Sequence, residues 1–477
     1  MGEATSVHGT DDPRPAPRPG TVLLVVSAAA FLASLDLFVV AIAFPAIRAD
    51  FPGTDLAGMS WVLNGYTVVF AAFLALAGRL GDRYGHRRVF RAGLVVFTLA
   101  SAACAVSPSV GVLVAARAVQ ALGAALLTPA SLALLLAAYP AERRARAVGT
   151  WASIGAVAAA LGPPVGGLLV ELSWHWVFLI NLPVGLAALV AAGRVLPAVR
   201  PAGTGRPDVA GAVALVAAVG ALAWALVRAA DAGWTDPWVA AGFVVSALGL
   251  GMVVARSVRH PVPALDLAVL RSVPLRLAST AMLLFTTGFS AMLLVNVLFL
   301  TGTWGWSARL AGLALAPGPL VVVVVARFAG GWAARFGPGP VAAAGGLSFA
   351  LGPVWWLASL GPEPAYLTGV LPGQLLTGLG VGLILPSLSS VVGSALPAPR
   401  WGAGSSLLNT ARQIGAVLGT ALAVTVVGAT TTGRGELALL RHGWIMLVVC
   451  GAAASLTGAV LWAVGTAERR PALEGAT

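Results

Sequence analysis

Asp36 is the single acidic residue deep inside an apolar run of this 477-residue chain, within the stretch that begins at Thr21 and continues past it to Ile47. An ionised carboxylate at the centre of a bilayer costs about 2.5 to 3.5 kcal/mol on insertion scales, so its presence there calls for a reason. Burial penalises the charged form, while a nearby cation or a more open cavity favours it, and a carboxyl balanced between the two is a proton carrier. The plainer alternative is a structural acid paired with a helix or a cation. Arg117 lies about seven residues from the outer end of its run and Asp36 about ten from the end of its own, which gives similar depths at about 1.5 Å per residue. The expectation is that Arg117 modulates proton release from Asp36, with Gln120 on the same face. An arginine satisfied by backbone carbonyls is the alternative there.

Two glycine-bearing segments come next. In Gly78-Arg-Leu-Gly81-Asp82-Arg83-Tyr-Gly85-His-Arg87-Arg88 the glycines permit close backbone approach and a tight turn, and Asp82 can form an ion network with the arginines. The same charges also serve simply to hold the loop on the cytoplasmic side. Further on, the spacing of Gly155, Gly162 and Gly166 places them on one helical face where a neighbour can pack tightly, with Gly167 adjoining and Pro163 and Pro164 adding a kink.

The elements that must position these residues are membrane helices. The chain is 58% hydrophobic and 10% charged, with a mean hydropathy of +0.92, and it carries 58 Gly and 31 Pro through apolar runs that a soluble protein would not sustain as helices. Runs of about 20 apolar residues, enough to cross a bilayer, begin near Thr21, Met59, Ala92, Val110, Val148 and Trp176. Two more cover 209 to 227 and 238 to 254, and six others begin near Leu277, Leu310, Pro340, Tyr366, Gly402 and Gly443. Six, two and six give about fourteen spans. Arginine orients them: Arg79, Arg83, Arg87, Arg88 and Arg91 mark an inside loop, and Arg143, Arg144, Arg146, Arg194, Arg200, Arg206, Arg256, Arg259, Arg271, Arg276, Arg335, Arg400, Arg469 and Arg470 repeat the bias at every second connection. Opposite loops offer Arg48, Arg228, Arg309, Arg434 and Arg441, so both termini are expected inside. Trp174, Trp234, Trp238, Trp304 and Trp306 fall at outer ends, where an interfacial belt belongs.

The halves look duplicated. Gly78-Arg-Leu-Gly-Asp-Arg-Tyr-Gly85 aligns without a gap on Gly330-Gly-Trp-Ala-Ala-Arg-Phe-Gly337, matching at both ends and at Arg83 and Arg335, with Asp82 replaced by Ala334. The formal charge of +12 is all arginine with no lysine and is spread along the chain, so it marks no nucleic-acid face. A chain without lysine has no Walker-type phosphate loop. Cys104 and Cys450 sit in apolar runs and the five histidines are scattered, so neither a disulfide framework nor a metal site is indicated.

Taken together, Leu35-Asp36 with Pro45, the segment from Trp61 to Tyr66, the loop from Gly78 to Arg88, Arg117-Ala-Val-Gln120, Gly162-Pro163-Pro-Val-Gly166-Gly167 and Trp174-His-Trp-Val-Phe-Leu-Ile-Asn181-Leu-Pro183-Val-Gly185 resemble the fourteen-helix drug:proton antiporters of the major facilitator superfamily. That resemblance covers nearly the whole chain. It implies alternating access, a conformational latch made by Gly78, Gly81, Asp82, Arg83, Gly85, Arg87 and Arg88, and export marked by the helix-five motif. Phe38 and Ala41 stand where the family usually has Thr and Asn, and Ala121 where it has Gly, so the polar lining is thinner.

The expected architecture is an all-α membrane protein with a six-helix bundle at 21–197, two additional helices at 198–257, a second six-helix bundle at 258–466, and cytoplasmic tails at 1–20 and 467–477. The expected function is proton-coupled export of small hydrophobic molecules such as drugs or antibiotics across a bacterial inner membrane. Protons and a small-molecule substrate are then the partners in a monomer without cofactor, metal, nucleic acid or catalytic residues. Tyr66, Gln120, Asn296 and Gln374 are candidates to line the cavity, while Arg412 reads as a packing or gating residue near the cytoplasm. Dedicated export of one natural product or lipid is the alternative, and a membrane sensor or intramembrane enzyme the more distant one.

Overall fold

The computed structural model describes residues 18–197, 208–261, 263–397, 400–427 and 435–474. Among these the chain is helical, with no strand. The first six helices are α1 (Pro19–Asp50), α2 (Leu56–Tyr84), α3 (His86–Ala105), α4 (Val110–Ala138), α5 (Ala141–Leu172) and α6 (Trp176–Val195, broken at Ile180). Two follow as a hairpin, α7 (Val209–Ala232) and α8 (Pro237–Arg259). The last six are α9 (Val273–Thr303, ending in a π-helical turn), α10 (Ala308–Phe336), α11 (Pro338–Ser359), α12 (Tyr366–Ala395), α13 (Trp401–Val427) and α14 (Gly435–Glu474). Twelve of the helices are long and apolar enough to cross a membrane, and α2, bent by 49° between Leu74 and Leu76, makes thirteen. The outer part of α5, Leu161–Leu172, is a shorter apolar helix. The expected tail at 1–17, the arginines Arg200, Arg206 and Arg434 and the end at 475–477 lie outside the described residues.

Local chemistry sets the helix ends. The side chains of Asp55, Ser109, Asp208, Asp236, Ser272 and Ser307 accept from the first free backbone amides of α2, α4, α7, α8, α9 and α10. Prolines inside spans, Pro45, Pro129, Pro163, Pro164, Pro353 and Pro386, are carried without breaking the helices, as packing in an apolar bundle allows.

Both halves use the same neighbours. In the first, α1 packs on α5, α2 on α4, and α3 on α4 and α6; in the second, α9 packs on α13, α10 on α12, and α11 on α12 and α14. The halves meet where α5 lies against α10 and α2 against α13. The hairpin caps the second seam, since α7 packs on both α2 and α13, and the Thr425 hydroxyl donates to the Leu226 carbonyl at 2.8 Å. The tryptophan belt is only partly where expected. Trp234 and Trp238 are exposed, whereas Trp174 is buried and donates to Asp50, and Trp304 is buried and donates to the Gly361 carbonyl at 3.0 Å.

Candidate functional site

Asp36 is buried within α1 and both its carboxylate oxygens are fully engaged. Oδ2 accepts from Arg117 Nη1, and Oδ1 accepts from Gln120 Nε2 at 2.8 Å and from Asn181 Nδ2 at 3.0 Å. Arg117 and Gln120 come from the middle of α4, one turn apart on the face towards α1, and Arg117 Nη1 also donates to Gln120 Oε1 at 2.7 Å. Asn181 is the first residue of α6 after its break, which lowers an amide into the bundle at the depth of Asp36. Ser101 of α3 accepts from both Gln120 Nε2 at 2.8 Å and Asn181 Nδ2 at 3.3 Å. Four side chains from three helices therefore surround one carboxylate, three of them bonded to it directly.

The cation is held on every side. Arg117 Nε donates to the Val62 carbonyl at 3.2 Å, and its guanidinium lies 4.2 Å from the Tyr66 ring centroid and 5.8 Å from that of Phe178. A buried pair lasts only when further hydrogen bonds satisfy what the partner does not, and this one is almost complete. Arg117 Nη2 and Asn181 Oδ1 remain buried without partners. Arg117 binds both the carboxylate, as a partner of Asp36 would, and a backbone carbonyl, as the alternative had it.

At the C-terminal end of α2, Gly85 has φ 90°, a left-handed conformation that a side chain rarely adopts, and its amide closes on the Gly81 carbonyl. Gly337 repeats this with φ 93° and a bond to the Ala333 carbonyl. Arg83 stacks over Tyr84 at 5.3 Å and Arg335 over Phe336 at 5.2 Å, so the two aligned segments share backbone and side-chain geometry. The ion network expected among Asp82 and the arginines takes another form. Asp82 Oδ1 pairs with His86 Nε2 at 3.3 Å, whose ring passes so near Gly81 that a Cβ there would sit 2.3 Å from it. Arg87 Nη2 instead reaches the Gly193 carbonyl of α6 at 2.5 Å, and Arg88 is exposed. Gly78 is in loose contact with Pro129, 3.8 Å from a built Cβ.

The α5 glycines face α1, with one exception. A Cβ on Gly162 would meet Phe38 Cβ at 2.4 Å, and one on Gly166 would meet the Val39 backbone at 3.1 Å, whereas one on Gly155 has only Ser34 Oγ at 3.6 Å. Gly167 turns the other way, across the seam: its Cβ would lie 2.7 Å from the Ala308 carbonyl of α10. Gly312 answers from α10, where a Cβ would come 2.2 Å from the Pro163 carbonyl. Arg309 and Glu171 pair at 3.7 Å just above this contact.

The four expected cavity residues are all buried in this structure. Tyr66 and Gln120 belong to the shell of Arg117, Asn296 accepts from Trp444 Nε1 at 3.1 Å between α9 and α14, and Gln374 is closed against Gly318. All four are buried, and the amides of Gln120 and Asn296 are bonded to neighbouring helices. Asn181 and Ser101 are the members of the site that residue spacing did not single out. A break in an apolar run followed by a lone amide was the available signal.

Two relatives share most of their length with this chain. A cephamycin export protein of Amycolatopsis lactamdurans is 36% identical over 420 residues, covering 87% of this chain and 86% of its own. A tetracenomycin C resistance and export protein of Streptomyces glaucescens is 36% identical over 407 residues, covering 85% and 75%. Among solved structures, a D-xylose–proton symporter superposes with a TM-score of 0.67 at 14% identity over 92% of this chain and 97% of that one, a likeness of fold. The sequence pattern of the Major Facilitator Superfamily matches residues 26–420. The chain belongs to the Major Facilitator Superfamily: it is a multi-pass membrane transporter of small molecules, not an enzyme.

Proposed function

We propose that this protein is a proton-coupled exporter of small, mostly hydrophobic molecules, antibiotics among them, working by alternating access in a bacterial inner membrane with both termini inside. The observation that carries the reading is the lone buried carboxylate of Asp36, held by Arg117, Gln120 and Asn181 inside a chain whose relatives are named for export. A proton arriving at Asp36 neutralises it, releases Arg117 and frees α1 from α4. Because Phe38 and Val39, next on α1, bear on Gly162 and Gly166, the change reaches α5 and from there its contact with α10. Protonation and substrate binding then favour opposite-facing states, so a proton gradient drives efflux. Each proton moved down one pH unit supplies about 1.4 kcal/mol, roughly a tenfold concentration ratio for one-to-one exchange.

In proteoliposomes with an imposed pH gradient, wild type should accumulate substrate against its gradient and Asp36→Asn should lose the gradient-dependent part while retaining passive exchange. Undiminished gradient-driven transport by Asp36→Asn removes the carrier role. The relatives' names also favour a second reading, export of one dedicated natural product. A panel of unrelated compounds of which only one is moved would support it.

A further inference from the structure

The second half carries a charge that no described residue neutralises. Arg412 lies eleven residues into α13, about 16 Å from the cytoplasmic start of that helix and so near mid-membrane. Its guanidinium makes no hydrogen bond, ion pair or ring contact with any described residue. No acid lies within the spans of that half either. Residues 258–466 contain only Asp266, Glu363 and Glu436 as acids, in the loop before α9, the loop after α11 and the outer first turn of α14. Arg117 in the first half is buried against Asp36, whereas Arg412 is partly exposed.

The surroundings of Arg412 say what it faces. On the inner half of α13, Leu407, Leu408, Thr410 and Ala411 are buried, while Ser405, Asn409, Arg412 and Gln413 form one exposed or partly exposed arc. Gly415 and Gly419 turn the adjoining face onto the carbonyls of Leu283 and Thr287 in α9, and Thr425 binds α7. An exposed arc made of Ser, Asn, Arg and Gln in mid-span looks onto a water-accessible space, because a lipid-facing arc would be apolar. Asp36, the acid that could have attracted a cation, already has both oxygens occupied.

We infer that Arg412, with Asn409 and Gln413 beside it, is the site that recognises an anionic group, a carboxylate above all, on the transported molecule. This rests on the export reading and names its substrate class. The planar guanidinium offers paired donors that fit a carboxylate in two parallel hydrogen bonds, and flanking amides can orient the remainder. Arg327, exposed on α10, adds positive charge to the same half.

The test uses two xanthene dyes of like shape and opposite charge, fluorescein as the anion and rhodamine 6G as the cation. Binding to the full-length protein is followed by fluorescence anisotropy in nanodiscs of neutral phosphatidylcholine at pH 8. Saturable fluorescein binding is expected at least tenfold tighter than that of rhodamine 6G, and weakened tenfold or more in Arg412→Gln and less in Arg412→Lys. A wild type that binds rhodamine 6G as tightly as fluorescein, or an Arg412→Gln protein that binds fluorescein normally, overturns the proposal. Should Arg412→Gln fail to fold, the ranking of the two dyes by wild type decides alone. Failure of the export reading looks different: fluorescein would bind in an Arg412-dependent way, yet a pH gradient would move neither dye.

Discussion

A buried ionic group survives in an apolar bundle only when each of its polar atoms is answered, and two aspartates here show how differently that is arranged. Asp36 is answered by side chains alone, all able to let go, which suits the proton carrier proposed above. Asp208, just before α7, is answered chiefly by things that cannot leave. It is buried, which by itself would raise its carboxyl, but the Gly211 amide at 2.9 Å, Arg256 at 2.5 Å and the Ala264 amide at 3.4 Å together hold it below the usual carboxylate value. A carboxyl lowered on folding contributes stability that is fully present above its unfolded value, about 3.9, and is lost as pH falls through the folded one. Asp208→Asn is therefore expected to cost about 1 to 3 kcal/mol at neutral pH. It should also flatten the fall in melting temperature that purified wild type shows as pH drops below about 4. Equal melting temperatures for both proteins at pH 7 would remove Asp208 as the tie between α7, α8 and the following loop.

At the scale of helices, the contacts between α1 and α5 and between α9 and α13 are one device used twice. Gly162 and Gly166 admit α1 as Gly415 and Gly419 admit α9, with the second pair so close that a Cβ on Gly419 would stand 2.1 Å from the Thr287 carbonyl. Gly162→Ala and Gly419→Ala should each lower stability by about 1 to 3 kcal/mol and reduce transport, because neither neighbour can give way without backbone movement. Gly155→Ala should leave melting temperature and transport at wild-type levels, since its new methyl would meet only Ser34 Oγ at 3.6 Å. Glycine spacing in the sequence marked the first pair as a packing face, but not which helix it met, nor that Gly167 points across the seam. The helices themselves were legible because an apolar run has few other solutions. Which way a polar side chain points was not: Asn296 and Gln374 look like lining residues by composition and are closed between helices. Asn181 stands in the sequence only as one member of the Trp174–Gly185 motif, and the break at Ile180 brings it beside Asp36. Arg412 belongs to the same group, since only the lack of a partner in three dimensions separates it from a packing arginine.

For the whole molecule, repetition is the organising fact and its defects are where direction enters. Two halves with the same neighbour pattern and matching Gly85 and Gly337 turns would give a symmetric object, yet the carboxylate pair is in one half and the unneutralised arginine in the other. Charge is thus divided across the seam that the proposed alternating access would open and close. At the C-terminal end of α5 the halves are shut where it meets α10, through Gly167, Gly312 and the Arg309–Glu171 pair, while a cleft of about 410 Å³ lies between the C-terminal ends of α1 and α9, lined by Phe44, Pro45, Arg48, Leu298 and Thr301. If substrate leaves between the halves, the α5–α10 contact must part once per cycle. Replacing Glu171 and Arg309 by cysteine places two thiols at that contact, apart from the buried native Cys104 and Cys450. Oxidation of the double variant should abolish transport and reductant should restore it, with each single variant transporting normally under the same oxidant. Substrate moving at the wild-type rate through the cross-linked protein would mean that the outer ends of α5 and α10 stay together throughout the cycle. The exit would then have to run through the cleft between α1 and α9.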